Sequence, residues 1–405
     1  MRVGIDGRML YHTGIGRYIQ NLLTYLPREG VEIVAWLNAQ GMKDERLDNP
    51  YLERRLCEVP VFHPLEHWEI AKEAHRANLD LLHAPHYNAP VFYRGKLVVT
   101  IHDLIPLRCP GTMRHKAGEA YFDWLVKHSV KRAERVITVS NYTRTDLQDF
   151  TGASESKVVP VLQGVDFKYA RKVPSAGLDE LRQQHGLTGR YLLYAGQQKR
   201  YKNVGLLIEL LKHLRADENF RDVQLVLVGA KDKDADLQAA IARESLESAV
   251  VQPGYIREEE QLIALYQGAS VFTFPSRYEG FGLPPLEAMA AGVPVISSNR
   301  TSLPEVIGDA GLLVDPDDID EWVRLTKTVL SDEATRTKLV AKGRERVLDF
   351  SWQRTADATS AVYHSIFSEK PSTKALWPMK QGSWVSSRDG NGLPHEAKGR
   401  RRLND

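Results

Sequence analysis

The sequence predicts an α/β protein made of two Rossmann-like halves that face each other across a cleft. Three observations predict it. Short β-branched or apolar runs alternate with longer helical patterns from end to end, which is the signature of a parallel sheet covered by helices on both faces. The series restarts after a polar, weakly patterned segment at 166–189. The chain has 405 residues, too many for one ordinary core, so two or three domains are expected.

The first series of candidate strands falls at 3–6, 32–37, 80–83, 97–102, 135–140 and 158–162. The second falls at 191–195, 224–229, 250–252, 271–274, 293–297 and 312–314. Helical patterns at 15–26, 115–134, 206–214, 258–268 and 321–330 lie between them. The boundary is placed in the polar segment, giving domains 1–167 and 168–350, with no sequence repeat relating them. A last helical pattern at 351–367 places Ala356, Val362, Tyr363 and Ile366 at helical spacing and is expected to return to the first domain. From 368 to 405 the composition turns to Pro, Ser, Gly and basic residues, so no packed structure is expected there. This tail holds eight Lys and Arg against four Asp and Glu; it carries +4, and the remainder of a chain with net charge +2 carries −2.

An apolar fraction of 42% and a charged fraction of 26% fit a soluble globular protein. The small net charge argues against nucleic acid as the main partner. Two cysteines, Cys57 and Cys109, point to a reducing compartment without a disulfide framework. The opening MRVGIDGRML has no signal-peptide core, and no apolar run approaches the roughly 20 residues that span a bilayer. The expectation is a cytoplasmic protein, at most resting on the inner face of a membrane.

The segment EGFGLPPLE at 279–287 places carboxylates at both ends of a stretch of glycine and proline. It follows the candidate strand 271–274, so Glu279 falls just past a strand's carboxyl end, where open α/β sheets bind ligands. Pro284 and Pro285 suit the start of a helix, which puts Glu287 in its first turns. Gly280 and Gly282 let the backbone approach a ligand closely. Gly282 and Leu283 then offer amides at a helix start, where phosphate is favoured. The order suits a sugar nucleotide: Glu279 and nearby amides for sugar hydroxyls, the helix start for the diphosphate, Glu287 for ribose.

E-x₇-E, the following AMAAGVPVI at 288–296, SLPEV at 302–306 and DAGLLVDP at 309–316 together resemble the family 4 retaining glycosyltransferases. The likeness extends over most of 1–367 and is similar to bacterial polysaccharide and lipopolysaccharide mannosyltransferases. It implies the GT-B fold, a nucleotide-diphosphate sugar donor and a glycan or lipid-linked acceptor. It also implies transfer with retention and without a metal or other cofactor. Mannose is the first sugar it suggests. In the family a Lys before Asn or Gly binds the diphosphate, and Lys202 in GQQKRYKN at 196–203 matches it. Where many members carry Arg after the glycine this chain has Gln197, so Arg200 is taken as the assisting cation. Phe281, within the motif, is placed with the donor contacts.

In the first half, TGIGRY at 13–18 looks like a dinucleotide fingerprint, yet Ile19 stands at its third glycine and no acidic residue ends the second strand. A nicotinamide cofactor is therefore not expected. In the resembled family a glycine loop lines the cleft here, and Gly14 and Gly16 match it; a tight turn without a ligand is the alternative. His102 and Asp103 close the strand 97–102 on the cleft side. A lone His is more often structural; the resemblance implies that His102 contacts the donor sugar. Asp103 either orients the acceptor or caps the next turn, and His86, Tyr87 and His83 lie past another strand end on the acceptor side. Two D-x-D sequences, 232–234 and 315–317, match a metal-binding pattern. The cations already present for the diphosphate and the N-cap habit of aspartate argue for no metal. A helix carrying Trp124, Lys127, Lys131, Arg132 and Arg135 suits either a membrane surface or an ordinary basic face. Glu279, Lys202 and His102 are thus the catalytic candidates. Competing readings are another GT-B enzyme, an epimerase or phosphorylase, and a non-catalytic nucleotide-sugar-binding protein.

Overall fold

The computed structural model describes residues 1–113, 115–229 and 235–368. The tail at 369–405 and the D-x-D sequence at 232–234 lie outside these residues. The first sheet holds β1 (Arg2–Asp6), β2 (Glu32–Leu37), β3 (Leu52–Leu56), β4 (Leu81–Ala84), β5 (Leu97–Ile101), β6 (Arg135–Thr138) and β7 (Val158–Pro160). Its order is β3-β2-β1-β4-β5-β6-β7, with every pairing parallel. The second holds β8 (Tyr191–Ala195), β9 (Gln224–Val228), β10 (Val250–Gly254), β11 (Val271–Phe274), β12 (Val295–Ser298) and β13 (Leu312–Val314). Its order, β10-β9-β8-β11-β12-β13, is also wholly parallel.

The reason the strands read as apolar runs is that both faces of each sheet are covered. β5, β8, β9 and β11 are buried at every position, as expected of parallel strands under helices. Trp36 and Trp322 lie fully buried in the two halves. In each sheet the strand order reverses once, between β1 and β4 and between β8 and β11. A crevice opens at the carboxyl ends of such a switch point. The loops that follow these four strands carry most of the residues singled out above.

Two elements differ from the sequence reading. β3, with sequence LERRL, adds an edge strand where charge hid the pattern: Glu53 pairs with Arg55 at 2.6 Å and with Arg2 of β1, and charged edges are how sheets avoid further pairing. The segment 166–189 contains a helix, Ser175–His185. Only one side of it is apolar, with Leu181 buried, so its periodicity is too sparse to register.

The helix Trp352–Ser365 lies on the first half. Thr355 Oγ1 donates to the Leu162 carbonyl at 2.8 Å, and the Tyr363 hydroxyl meets His83 Nδ1 at 2.6 Å. His83, buried and bonded on its other nitrogen to Thr100 at 2.8 Å, is thus part of this seam and not of the acceptor side. Gly164 makes the seam possible, since a Cβ there would overlap the backbone nitrogen of Trp352. Gly164→Ala is expected to destabilise the protein by about 1–3 kcal/mol, the cost of overpacking a backbone contact. Urea unfolding checks this, and an unchanged midpoint would contradict the described docking of this helix.

Candidate active site

The loop after β11 runs straight into the facing half. A Cβ at Gly280 would overlap the His102 carbonyl oxygen at the end of β5, so only glycine lets the two main chains meet. Thr143 Oγ1 donates to the Gly280 carbonyl at 3.1 Å. On the other side of the loop, Ser302 Oγ donates to the carbonyls of Glu279 and Phe281 at 3.0 and 2.8 Å, and the Glu279 amide donates to Thr301 Oγ1 at 3.0 Å.

This frame fixes Glu279 beside Lys202. Lys202 Nζ donates to both carboxylate oxygens, at 2.6 and 2.8 Å, with both side chains largely buried. Lys202 ends a short turn, Arg200–Lys202, after β8, and Asn203 reverses the chain at φ 56°. Asparagine tolerates that left-handed conformation better than most residues, and its amide is tied to the Pro316 carbonyl at 3.0 Å. Arg200, the expected assistant, is exposed and has no ion pair with any described residue.

Glu287 sits in the helix Leu283–Ala290, which Gly282 begins at φ 110°. The carboxylate is buried. The Tyr266 hydroxyl donates to Oε2 at 2.9 Å, and Arg17 Nη1 of the facing half donates to Oε1. Neither Arg17 nor Tyr266 was singled out from the sequence, although Arg17 stands within the quoted glycine loop. Gly14 faces open space, whereas Gly16 is required by packing, because a Cβ there would overlap the Leu10 carbonyl. Phe281 turns its ring away into the protein, edge-on to Phe350 at 5.9 Å.

The first half contributes a neutral row of rings. His102 Nε2–H donates to the Pro85 carbonyl at 2.9 Å, which leaves Nδ1 to accept from the Gln163 amide at 3.3 Å. Burial pulls the His102 pKa down to about 4. Burial, helped by His102, pulls that of His86 down to about 3. Both rings are therefore uncharged near neutrality. His86 and Tyr87 lie with ring centroids 4.1 Å apart, and Phe62, at φ 66° and exposed, stacks on Tyr87 at 5.9 Å. Phe62, which the sequence did not disclose, joins this cluster of rings.

Asp103 Oδ1 accepts from the Ile105 amide at 3.0 Å, so it caps the following turn. Burial pushes its pKa up to about 6, against the pull of that amide and of Lys202. The remaining D-x-D sequence is occupied by cations, Asp315 by Arg300 at 2.7 Å and Asp317 by Arg277. Among the described residues, no group of three or more His, Cys, Asp or Glu side chains has the geometry to hold a metal ion.

The family model for Glycosyltransferase Family 4 matches residues 12–169, and that for Glycosyl transferases group 1 matches 179–346. The O-antigen chain mannosyltransferase B of Escherichia coli is 32% identical over 282 residues, 68% of this chain and 73% of that protein. The chain belongs to glycosyltransferase family 4. The serotype-specific mannosyltransferase WbdA of Escherichia coli is 31% identical over 268 residues; the match takes in 64% of this glycosyltransferase but only 32% of that longer protein. The crystal structure of Anabaena Alr3699/HepE in complex with UDP and glucose superposes with a TM-score of 0.72 at 18% identity. It covers 90% of this chain and 100% of that one, a likeness of fold. The two facing sheets are the GT-B architecture.

Asp103 in this glycosyltransferase yields a signed pH dependence. Its raised pKa means that the folded protein holds the proton more tightly than the unfolded chain does. The stability cost is absent below about pH 4, grows up to about pH 6 and is constant above it. Asp103→Asn, which keeps an acceptor for the Ile105 amide, is expected to be at least as stable as the parent at pH ~7.5 and to lose that advantage at pH ~4. Urea midpoints at the two pH values check the sign. A variant that gains stability only at the acid end would contradict it.

Proposed function

We propose that this glycosyltransferase moves a hexose, mannose in the first instance, from a nucleotide-diphosphate sugar to a hydroxyl of a glycan or lipid-linked acceptor in cell-surface polysaccharide synthesis. Transfer proceeds with retention and without a metal. One observation carries the reading: Lys202 and Glu279 touch at the carboxyl ends of β8 and β11, opposite His102 and Asp103. A carboxylate suits sugar hydroxyls and an ammonium suits phosphate. Where the two meet is the place for the bond that joins sugar to phosphate. The relatives named as mannosyltransferases support mannose as the sugar.

The chemistry asks chiefly for stabilisation of charge on the departing diphosphate. The acceptor oxygen bonds to the anomeric carbon on the face from which the phosphate oxygen leaves, and that phosphate oxygen takes the acceptor's proton. Lys202 meets the developing charge, with Arg200 able to swing in from the surface. Glu279 holds the sugar and Glu287 the ribose. His102, neutral and fixed by Pro85 and Gln163, presents a rigid wall to the sugar rather than a proton. His86, Tyr87 and Phe62 offer aromatic faces to the acceptor.

Lys202→Ala is expected to lower kcat by about 100-fold with little change in donor affinity. Glu287→Ala is expected to weaken donor binding by about 10-fold or more, because hydroxyls lose a charged acceptor. A thermal-shift screen of GDP-, UDP-, ADP- and dTDP-sugars, followed by kinetics with the donor found, checks both; wild-type constants in both variants would overturn the assignment. Full turnover in a chelator and an anomer of unchanged configuration complete the reading, and loss of turnover in the chelator would end its metal-free part. An epimerised donor formed without acceptor would favour the epimerase instead.

We also infer contact with an anionic membrane surface through the first half. Among the described residues no helix is long and apolar enough to cross a membrane. Helix Lys116–Arg132 buries Phe122, Leu125 and Val126 and leaves Tyr121 and Trp124 exposed. His67 joins Tyr121 at 2.7 Å to the neighbouring helix, where Leu65 and Trp68 are exposed, and Trp68 meets the exposed Phe92 at 6.0 Å. Arg94, Arg132 and Lys131 stand around His128 beside this patch. Aromatic rings ringed by cations suit the interface of an anionic bilayer. The chain is expected to sediment with vesicles containing phosphatidylglycerol and to be released by Trp68→Ser with Trp124→Ser or by high salt. Equal recovery with neutral vesicles, or none with either, would remove the inference.

A further inference from the structure

The helix start that faces the donor is short of amides. In a helix the first four N–H groups are free; here they belong to Gly282, Leu283, Pro284 and Pro285, and the prolines have none. Two amides and Lys202 must then meet a diphosphate. Arg200 can reach it only by swinging in from the surface, so a cation already placed beside this helix is called for.

Arg17 fills the need from the other half. It rises from the first turns of the helix Thr13–Tyr25, is half-buried, and donates to Glu287 Oε1 across the cleft. It also lies against the buried Tyr169, whose hydroxyl burial drives up in pKa and Arg17 draws back down. Glu287 follows Leu283 by four residues, so both stand on one face of the helix, about 6 Å apart along its axis. A turn of the long Arg17 side chain covers that distance. The carboxylate oxygen that Arg17 holds is also one that ribose hydroxyls require.

We propose that Arg17 is the second donor-positioning cation: ribose competes with it for Glu287, and the displaced guanidinium turns to the diphosphate at Gly282 and Leu283. The inference rests on the reading that Glu287 takes the ribose. Its consequence is selectivity within the donor. Arg17 opposes the nucleoside part, by occupying its carboxylate, and favours the diphosphate part, by pairing with it. Guanidinium and phosphate form charge-assisted, bidentate hydrogen bonds that an ammonium reproduces only in part.

The test is calorimetric, on the full chain, with whichever of GDP, UDP, ADP and dTDP binds the wild type best, and with its parent nucleoside. Arg17→Ala is expected to weaken the diphosphate at least 10-fold while leaving the nucleoside unchanged or tighter; Arg17→Lys should recover part of the loss. A structural role would move both ligands together, so equal weakening of diphosphate and nucleoside overturns the inference and leaves the donor reading standing. Glu287→Gln separates the two: if nucleoside binding survives it intact, the ribose assignment fails and the inference falls with it. Melting temperatures of the Arg17 variants within about two degrees of the parent establish that folding is not the cause.

Discussion

The site depends on one place where two main chains nearly touch. Gly280, in the loop after β11, passes so close to the His102 carbonyl at the end of β5 that no side chain fits between them. The contact is pinned on either side. The Tyr278 hydroxyl donates to Asp146 and accepts from the Leu104 amide at 3.3 Å. Glu305, buried, accepts from the amides of Asn141 and Tyr142 at the start of helix Asn141–Thr151. A carboxylate at a helix N-terminus meets free N–H groups and the positive end of the dipole. The two halves are thus joined at the loop that carries Glu279 and at the nearby helix Leu303–Ile307, and the close backbone approach of Gly280 to His102 sets the carboxylate's register to His102 and Asp103.

Both switch points then converge on that loop. β1 and β4 deliver Arg17, His86 and Tyr87; β8 and β11 deliver Lys202 and Glu279. Because a doubly wound sheet opens its crevice where strand order reverses, two such sheets facing each other bring two crevices together. The catalytic candidates His102, Lys202 and Glu279 come from three separate strand ends, those of β5, β8 and β11, which explains why their spacing along the chain looks unrelated.

What the sequence disclosed was whatever is local or periodic. Strands buried on both faces show as apolar runs, and EGFGLPPLE carries its carboxylates, glycines and helix start in nine consecutive residues. What it concealed was whatever depends on the fold closing. Arg17 is one charge in a helix until the second half brings Glu287 to it. Gly16 looks like a ligand-facing glycine until the Leu10 carbonyl is seen behind it. Phe281 sits in the middle of the motif yet spends its ring on Phe350. β3 hides behind the charges that protect a sheet edge, as Glu53 and its arginines show. A pattern of residue types cannot tell a glycine needed by a ligand from one needed by a neighbour, because both demand the same missing Cβ.

The same ambiguity holds for buried glutamates, and here the donors on each carboxylate resolve it. Glu66, Glu279, Glu287 and Glu305 are all buried, and a buried charge must be met by partners. Glu66 is met by the Phe62 backbone amide at 3.1 Å and by Arg8 at 2.8 Å, itself locked on Asp6 in the interior of the first half. Glu305 is met chiefly by backbone amides, which cannot rotate away. Among the described residues, Glu279 and Glu287 are met only by side chains, Lys202 for one and Arg17 with Tyr266 for the other. Partners on rotatable bonds can be exchanged for a ligand's hydroxyls and phosphates at small cost, since charge-assisted hydrogen bonds are replaced by others of the same kind. Burial brings all four carboxylates to a similar degree of isolation; among the described residues, Glu279 and Glu287 differ from Glu66 and Glu305 in being held without a backbone amide.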